Sequence, residues 1–346
     1  MKNLINKLEK TRSLQKEEWL VLFDCNEKER AYLFKKARQT RDKVYGKTVF
    51  VRGLIEISNY CKNDCFYCGI RHSNKKAMRY RLTPEEILTC CKEGYKLGFR
   101  TFVLQGGEDP YFTDELLCGL ISEIKKSYPD CAVTLSLGER SRESYEMLKK
   151  AGADRYLLRH ETASCKHYET LHPKEMLFKT RKECLYNLKE LGFQVGAGMM
   201  VGSPFQTKET LAEDMLFLQE LKPHMVGIGP FISHQDTPFR EEPNGSVDTT
   251  ILLLALTRML LPNVLLPATT ALGTLDPQGR EKAVLAGANV VMPNLSPLSV
   301  REKYMLYDGK ISTGDEAAES LEHLKKSMKK IGYEVVVDRG DYKEIK

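Results

Sequence analysis

Short runs of β-forming residues alternate with longer amphipathic segments through most of this chain. The sequence contains eight such runs, namely VFVRGLIEI, TFVLQGG, AVTLSLG, RYLLRH, QVGAGMMVG, MVGIGPFI, NVLLPAT and NVVMPN. Apolar runs bounded by Gly or Pro are typical of parallel strands buried on both faces. Strand followed by helix, repeated eight times, predicts an α/β protein folded as a (β/α)₈ TIM barrel. An open doubly wound sheet stays the alternative, although no GxGxxG motif follows the first strand.

Helix signals fall between these runs and at both ends of the chain. Thr83, Thr113 and Ser141 stand where N-caps are expected, each with acidic residues in the turn that follows. Apolar residues at helical spacing predict two or three helices before the first strand. The chain therefore divides into an N-terminal helical cap at 1–45, a barrel at 46–296 and a short C-terminal extension at 297–346.

Composition and charge narrow the class of protein. Hydrophobic residues make up 42% of the 346 and charged residues 29%, as in ordinary globular domains. Lys and Arg exceed Asp and Glu by 53 − 47 = 6, but acidic residues are interleaved with them, so we expect no nucleic-acid partner. MKNLINKLEKTRSLQ lacks the apolar region of a secretory signal, and the apolar stretch 251–261 is too short for a bilayer. We expect a cytoplasmic protein without membrane contact.

Three of the ten cysteines form a motif with a chemical meaning. Cys61, Cys65 and Cys68 follow the first strand with C-x₃-C-x₂-C spacing, in the polar loop EISNYCKNDCFYCGIRH. In a barrel this loop lies at the C-terminal face, where catalytic groups are placed. Three neighbouring thiolates can hold three irons of a [4Fe–4S] cluster and leave the fourth iron open to a ligand. A zinc site completed by His72 is the alternative.

The other cysteines carry a weaker signal. Most lie in helical patterns or at the start of a strand, where buried apolar roles are expected: Cys90, Cys91, Cys118, Cys131 and Cys184. Cys165 follows the fourth strand near the expected barrel mouth and is a candidate exposed, reactive thiol. A large chain in a reducing compartment does not need disulfides, so none are expected.

Polar residues near the ends of other strands predict a charged cavity at the same face. RYLLRHETA ends the fourth strand and presents Arg155, Arg159, His160 and Glu161. Buried charges are costly unless paired or solvated, so this group indicates a cavity that binds a charged ligand, with an internal salt-bridge network as the alternative. Arg52, early in the first strand, would reach the cavity interior or form an ion pair in the barrel core. Thr269 and Thr270 add hydroxyl groups at the end of the seventh strand.

The cysteine loop resembles that of the radical S-adenosylmethionine (SAM) superfamily, including an aromatic residue, Tyr67, just before the last cysteine. LQGGEDP resembles the GGE segment of that family, and its glycines let the backbone approach a ligand closely. The resemblance implies a [4Fe–4S] cluster on the three cysteines, SAM at the open iron and the adenine of SAM beside Tyr67. It also implies cofactor contacts from Gln105, Gly106, Gly107, Glu108, Ser136, Glu161 and Arg181.

Further motifs extend the resemblance over residues 1–310 to the HydE family of [FeFe]-hydrogenase maturases. These motifs are RYRLTPEEI, VLQGGEDPY, VTLSLGE, AGADRYLLRHETA, VGIGPFI, PATTALGT and VMPN. The resemblance implies reductive cleavage of SAM to a 5′-deoxyadenosyl radical, which acts on a cysteine-bound iron carbonyl-cyanide precursor during assembly of the hydrogenase H-cluster. The candidate catalytic residues are Arg159, Thr269, Thr270, Arg52 and Arg155.

The same resemblance implies the partners and leaves other functions open. It implies a small-molecule or organometallic substrate, an electron donor such as ferredoxin or flavodoxin, and other hydrogenase maturases. A methylornithine synthase-like mutase, a biotin synthase-like enzyme and a non-enzymatic cluster-carrying or zinc-binding scaffold are the alternatives. Sulfur insertion needs further cysteines inside the barrel, and strands two to eight carry Cys131 alone. No cysteine follows Cys184, so the accessory C-terminal cluster of some HydE proteins, here at KISTGDEAAES, is expected to be absent.

Overall fold

The computed structural model of the protein describes residues 1–311 and 316–344. The helices are α1 (Lys2–Thr11), α2 (Lys16–Phe23), α3 (Glu27–Tyr45), α4 (Pro84–Lys96), α5 (Asp114–Ser127), α6 (Arg142–Lys150), α7 (Cys165–Leu171), α8 (Phe178–Glu190), α9 (Lys208–Leu221), α10 (Val247–Leu260), α11 (Thr270–Leu275), α12 (Gly279–Leu285), α13 (Leu298–Arg301) and α14 (Ala317–Lys330). The strands are β1 (Thr48–Val51), β2 (Gly53–Ser58), β3 (Thr101–Gly106), β4 (Ala132–Ser136), β5 (Arg155–Leu157), β6 (Gln194–Val201), β7 (Met225–Pro230), β8 (Val290–Val291) and β9 (Glu334–Val336). Part of KISTGDEAAES, residues 312–315, lies outside the described residues.

The strands form a parallel ring, which confirms the predicted barrel. Strands β2 to β7 pair in sequence order. β1 and β2 are one run of chain interrupted at Arg52, and β1 pairs in parallel with β8. The parallel bridges Met225–Leu265 and Pro267–Val290 connect β7 to β8. NVLLPAT therefore takes its predicted place in the ring through isolated bridges rather than as a regular strand.

The helices begin where the sequence predicts. Thr83, Thr113 and Ser141 each accept a hydrogen bond from the backbone N–H three residues further on. At Thr83 the side chain of Glu86 also bonds back to the cap, which completes a capping box. These caps fix the point at which the chain turns from each loop at the barrel mouth into the following helix.

The N-terminal helices pack on the outside of the barrel. α2 lies against α9 and α3 against α10, and fully buried Trp19 and Leu33 belong to the same hydrophobic core as the strands. Because this core continues across residue 45, the division into cap, barrel and extension stays a prediction. No helix among the described residues is long and apolar enough to cross a membrane.

The C-terminal segment covers the end of the barrel opposite the mouth. β9 pairs in parallel with β1, and residues 339–343 then run beneath the amino-terminal ends of the strands. Thr101 Oγ1 donates a hydrogen bond to Arg339 O at 2.7 Å, and Gln194 Nε2 donates to Asp341 at 3.0 Å. The carboxyl end of the ring is not covered by these residues.

Candidate functional site

A cavity of about 340 Å³ opens at the carboxyl ends of the barrel strands. The sequence-predicted site residues in its wall are Cys61, Cys65, Tyr67, Cys68, Gln105, Gly106, Gly107, Glu108, Ser136, Arg159, Glu161, Arg181, Thr269 and Thr270. These residues come from loops and strands spread over more than 200 positions of sequence, and the ring of parallel strands brings their ends to one face. The structure gathers them in one place, while the role of each stays a prediction.

The cysteine loop is held in shape by its own basic residues. The Arg79 guanidinium donates to the backbone carbonyls of Asn59, Ile70, Arg71 and Asn74. Arg71 also forms a two-point ion pair with Asp64, at 2.8 and 2.5 Å. The loop has no regular secondary structure, so these side chains supply the hydrogen bonds that a helix or sheet would otherwise supply.

The three thiols line the cavity in surroundings that disfavour bare thiolates. Burial raises the pKa of the Cys61 and Cys65 thiols and raises that of Cys68 to about 12. Three such thiols become thiolates only when a metal compensates their charge, since metal ligation requires the deprotonated form. The donor set therefore fits a cluster held through three sulfur atoms.

A single zinc ion fits these residues less well. His72, the fourth ligand of the zinc alternative, is exposed and does not line the cavity. Within residues 1–311 and 316–344, no three His, Cys, Asp or Glu side chains lie close enough together to hold one metal ion. The zinc alternative therefore lacks its fourth ligand in the cavity wall.

The GGE segment at the end of β3 packs directly on the cysteine loop. Glu108 N donates to Cys61 Sγ at 3.4 Å, and Lys62 N donates to Glu108 O at 2.9 Å. A Cβ atom on Gly107 would lie 2.1 Å from Tyr60 O. The sequence predicted a close approach of these glycines to a ligand, but at Gly107 the neighbour is the backbone of the cysteine loop.

Tyr67 joins the cavity wall to a buried histidine. Its hydroxyl lies 3.1 Å from His172 Nε2, and His172 Nδ1 lies 2.9 Å from Tyr168 O. Burial raises the pKa of Tyr67 and lowers the pKa of His172 to about 3. This contact holds the Tyr67 side chain in the cavity wall, while its role beside the adenine stays a prediction.

His172 makes the stability of the fold depend on pH. The pKa of His172 is about 3 in the folded protein and about 6.5 in an unfolded chain. As the pH falls below about 6.5, only the unfolded chain takes up a proton. Uncharged His172 therefore contributes fully to the free energy of unfolding only above pH ~6.5. About 1.4 kcal/mol of this free energy is lost between roughly pH 8 and pH 5.5. Urea unfolding at both pH values should show a loss about 1.4 kcal/mol larger in the wild type than in His172→Gln. The loss common to both proteins comes from groups such as His167 and His224, whose pKa values burial also lowers. An equal loss in both proteins would show that His172 does not titrate as described.

Polar atoms without partners mark the ligand-binding part of the cavity. Arg159 Nε and Thr269 Oγ1 are buried without a hydrogen bond from any residue that the structure describes. Arg159 Nη2 donates to Met199 O at 2.8 Å and lies 3.0 Å from Glu161 Oε2. Buried polar groups are normally satisfied, so these atoms fit a polar ligand that supplies the missing partners.

Arg181 and Glu161 are positioned by neighbouring loops. Arg181 on α8 donates to Glu139 at 2.5 Å and to Arg159 O at 2.7 Å. Glu161 has a left-handed backbone, with φ of 64°, a strained conformation for a non-glycine residue. Its N–H and C=O bond to β6 at Gly198 and Met200, which holds the carboxylate toward the cavity.

Two predicted catalytic residues lie elsewhere, which corrects their expected position. Arg155 was expected at the mouth but begins β5, at the opposite end of the ring, where it donates to Thr101, to Arg339 O and to Asp341. Arg52 lies between β1 and β2 and contacts Met225 Sδ at 3.0 Å and Gly340 O at 3.4 Å. Neither lines the cavity, because both point toward the C-terminal segment beneath the barrel.

His160 and Cys165 also differ from the expected arrangement. His160 is fully buried behind the strand, 3.2 Å from Asp214 on α9, rather than at the mouth. Cys165 is exposed, as predicted, but it does not line the cavity. Burial and the neighbouring Glu169 raise the pKa of its thiol, which argues against high reactivity.

The sequence analysis missed a buried ion pair in the cavity wall. Glu56 on β2 is 2.5 Å from Lys310 Nζ, and Lys310 also donates to Tyr304 O at 2.8 Å. All three residues line the cavity. A glutamate in the middle of the apolar strand GLIEIS was the available signal, while its partner lies 254 positions away, where no local pattern connects the two.

Comparison with known proteins first indicates the superfamily of the chain. Residues 55–218 match the model of the radical SAM superfamily. Among solved structures, methylornithine synthase superposes with a TM-score of 0.83 at 24% identity, covering 96% of this chain and 97% of that one. The [FeFe]-hydrogenase maturase HydG superposes with a TM-score of 0.81 at 22% identity, covering 97% and 75%. These likenesses establish the radical SAM barrel fold.

The sequence relatives narrow the family. The chain is 47% identical to the [FeFe] hydrogenase maturase subunit HydE of Thermotoga maritima over 313 residues, which are 90% of this chain and 89% of that protein. The 3-methylornithine synthase of Methanosarcina acetivorans is 28% identical over 86% of this chain and 83% of its own length. The chain therefore belongs to the HydE family of the radical SAM superfamily. It is an enzyme that uses a [4Fe–4S] cluster and SAM, takes electrons from a donor and acts on a small molecule.

Proposed function

We propose that this protein is an [FeFe]-hydrogenase maturase that cleaves SAM reductively and acts on a cysteine-bound iron carbonyl-cyanide precursor of the H-cluster. The observation that carries the proposal is the 47% identity to a HydE protein along 90% of the chain. The cavity lined by three thiols is consistent with it. The alternative of a methylornithine synthase rests on a relative with 28% identity, which supports it less.

We assign different residues of the cavity to the cluster and to SAM. Cys61, Cys65 and Cys68 would hold the cluster, and the open iron would bind the amino acid end of SAM. When bound, the two cofactors supply a 5′-deoxyadenosyl radical. Tyr67 would pack on the adenine, and the remaining SAM contacts would come from Gln105, Gly106, Gly107, Glu108, Ser136, Glu161 and Arg181.

The deeper part of the cavity would bind the substrate. Arg159, Thr269 and Thr270 line the cavity, and Arg159 Nε and Thr269 Oγ1 are buried without partners among the described residues. Such donors suit an anionic group, because they supply charge and hydrogen bonds in a site shielded from water. Apolar Leu54, Leu157 and Met292 line the same cavity and would exclude water from a reactive intermediate.

Genetic complementation tests the proposed function. A host that carries an [FeFe]-hydrogenase but lacks its own HydE gene should regain hydrogen evolution when this chain is expressed anaerobically. The purified, cluster-loaded protein should release 5′-deoxyadenosine from SAM and should not form methylornithine from lysine. A soluble, cluster-loaded protein that leaves the host without hydrogen evolution, or that makes methylornithine, would contradict the proposal.

A further inference from the structure

The positive charge of this chain is concentrated beside the three thiols. Residues 60–81 hold one acidic residue, Asp64, against six basic residues, so this segment of 22 residues carries 6 − 1 = +5 of a net charge of +6. The six are Lys62, Arg71, Lys75, Lys76, Arg79 and Arg81. The other 324 residues together carry +1, so the excess belongs to the cysteine loop and its continuation.

Three of the basic side chains are more exposed than their acidic partners, while Arg71 is less exposed than its partner Asp64, at 10% against 29%. The side chain of Lys76 is 81% exposed while that of its partner Asp236 is 14% exposed. Lys62 is 58% exposed against 8% for Glu108, and Arg81 is 36% exposed against 0% for Asp109. Lys75 is exposed as well. Although several of these charges are paired, the surface presented to solvent is cationic.

Exposed apolar groups adjoin these cations. Met78 is 64% exposed, and the Arg81 guanidinium lies over the rings of Tyr60 and Tyr111 at 3.9 and 5.1 Å. On another side of the loop, Met176 Sδ lies 3.8 Å from Cys65 Sγ, and the next residue, Leu177, is 58% exposed. Exposed apolar and aromatic groups among charges are typical of surfaces that bind other proteins.

We propose that this surface, the basic collar of residues 60–81, docks a small acidic protein that carries a one-electron redox centre near its own surface. The inference rests on the proposed function, because it requires a cluster that must be reduced. The reduced donor gives up one electron and is oxidised, and the cluster gains that electron, with no bond or proton transferred between the two proteins. Docking beside the thiols shortens the path of the electron, and the positive field speeds association with an acidic partner.

A nucleic acid is a less suitable occupant of the collar. Binding along a phosphate backbone is favoured by a stripe of positive charge over an extended surface. Here the excess is confined to one loop at the cavity mouth, and the rest of the chain is close to neutral. An acidic protein of similar footprint matches the collar better.

Charge reversal at Lys75 and Lys76 tests the inference. The matched control reverses Lys329 and Lys330, two neighbouring exposed lysines on α14, so both double variants have a net charge of 6 − 4 = +2. Each cluster-loaded protein is assayed for SAM cleavage with a reduced acidic ferredoxin and, separately, with dithionite. Binding of the oxidised ferredoxin is measured by calorimetry at low and high salt.

The collar variant and the control variant are expected to differ in ferredoxin binding and in ferredoxin-driven SAM cleavage. Lys75→Glu/Lys76→Glu should weaken ferredoxin binding about tenfold and lower the ratio of ferredoxin-driven to dithionite-driven rates by a similar factor. The control should keep both values, and added salt should weaken wild-type binding. An unchanged ratio, an equal loss in the control, or tighter binding to an RNA oligonucleotide than to ferredoxin would overturn the inference. Failure of the wild type to cleave SAM with dithionite would instead refute the proposed function.

Discussion

Cys65→Ser is expected to reduce SAM cleavage to background and to leave the protein unable to hold a complete four-iron cluster. Cys65 lies between the other two thiols in sequence, lines the cavity and contacts Met176 in buried surroundings. A serine hydroxyl is not a thiolate and binds iron weakly, so the variant would keep two of three cluster ligands. Iron and sulfide content after anaerobic reconstitution and the release of 5′-deoxyadenosine measure the two effects.

A second cysteine provides the matched control for that experiment. Cys165 is exposed, begins α7 and does not line the cavity. Cys165→Ser should therefore reconstitute and cleave SAM like the wild type. Retained cleavage in Cys65→Ser, or an equal loss in Cys165→Ser, would contradict the assignment of the cluster ligands.

Arg155→Met is expected to lower the free energy of unfolding by about 2 kcal/mol, because it removes a fully buried guanidinium and leaves its hydrogen-bond acceptors without a donor, although the side chain of its ion-pair partner Asp341 is 38% exposed. The Arg155 side chain is fully buried and lies 2.5 Å from Asp341. Although burial opposes it, Arg155 lowers the pKa of Asp341 to about 2. Loss of the pair should loosen the C-terminal segment from the base of the barrel.

The measurement for Arg155 distinguishes structure from catalysis. Urea unfolding gives the stability change, and the KM for SAM at a temperature where the variant stays folded should match the wild type. Arg142→Met serves as the control, since its ion pair with Glu190 is exposed on both sides and is worth less than about 1 kcal/mol. A variant that is as stable as the wild type but unable to cleave SAM would show that Arg155 acts in catalysis and not in stability.

Local sequence patterns were sufficient to predict the barrel and to place the residues that follow its strands at one end. Each strand from β1 to β8 was visible as an apolar run, and the caps at Thr83, Thr113 and Ser141 showed where the following helices begin. Parallel strands place all their carboxyl ends on one face, so residues that follow strands could be assigned to one site. Cys61 could be placed at the mouth in this way, whereas Ser136 and Arg181 were assigned through the family resemblance, and Glu56 and Lys310 were missed.

Residues inside strands were harder to place. Arg155 and Arg159 are four positions apart in RYLLRH, but β5 spans Arg155–Leu157, so the first residue belongs to the base of the barrel and the other to the mouth. The sequence marked the strand without marking its ends. NVLLPAT likewise has the composition of a strand, but its pairing depends on neighbours that the local pattern does not specify.

Contacts between distant segments could not be predicted at all. Lys310 reaches Glu56 from the C-terminal extension, and Asp341 reaches Arg155 across 186 positions. Both are charged residues in stretches where a solvated position is the ordinary expectation. Lys310 and Asp341 reach the barrel because one part of the folded extension lies above the ring and another part lies below it.

Electron–nuclear double resonance on the reduced, cluster-loaded protein most directly tests whether three thiolates leave one iron open to SAM. The SAM added should carry isotopic labels on its amino and carboxylate groups. Hyperfine coupling from these labels to the cluster is the expected result. Saturating SAM without such coupling, or a fourth protein side chain coordinated to the cluster, would contradict the open iron site.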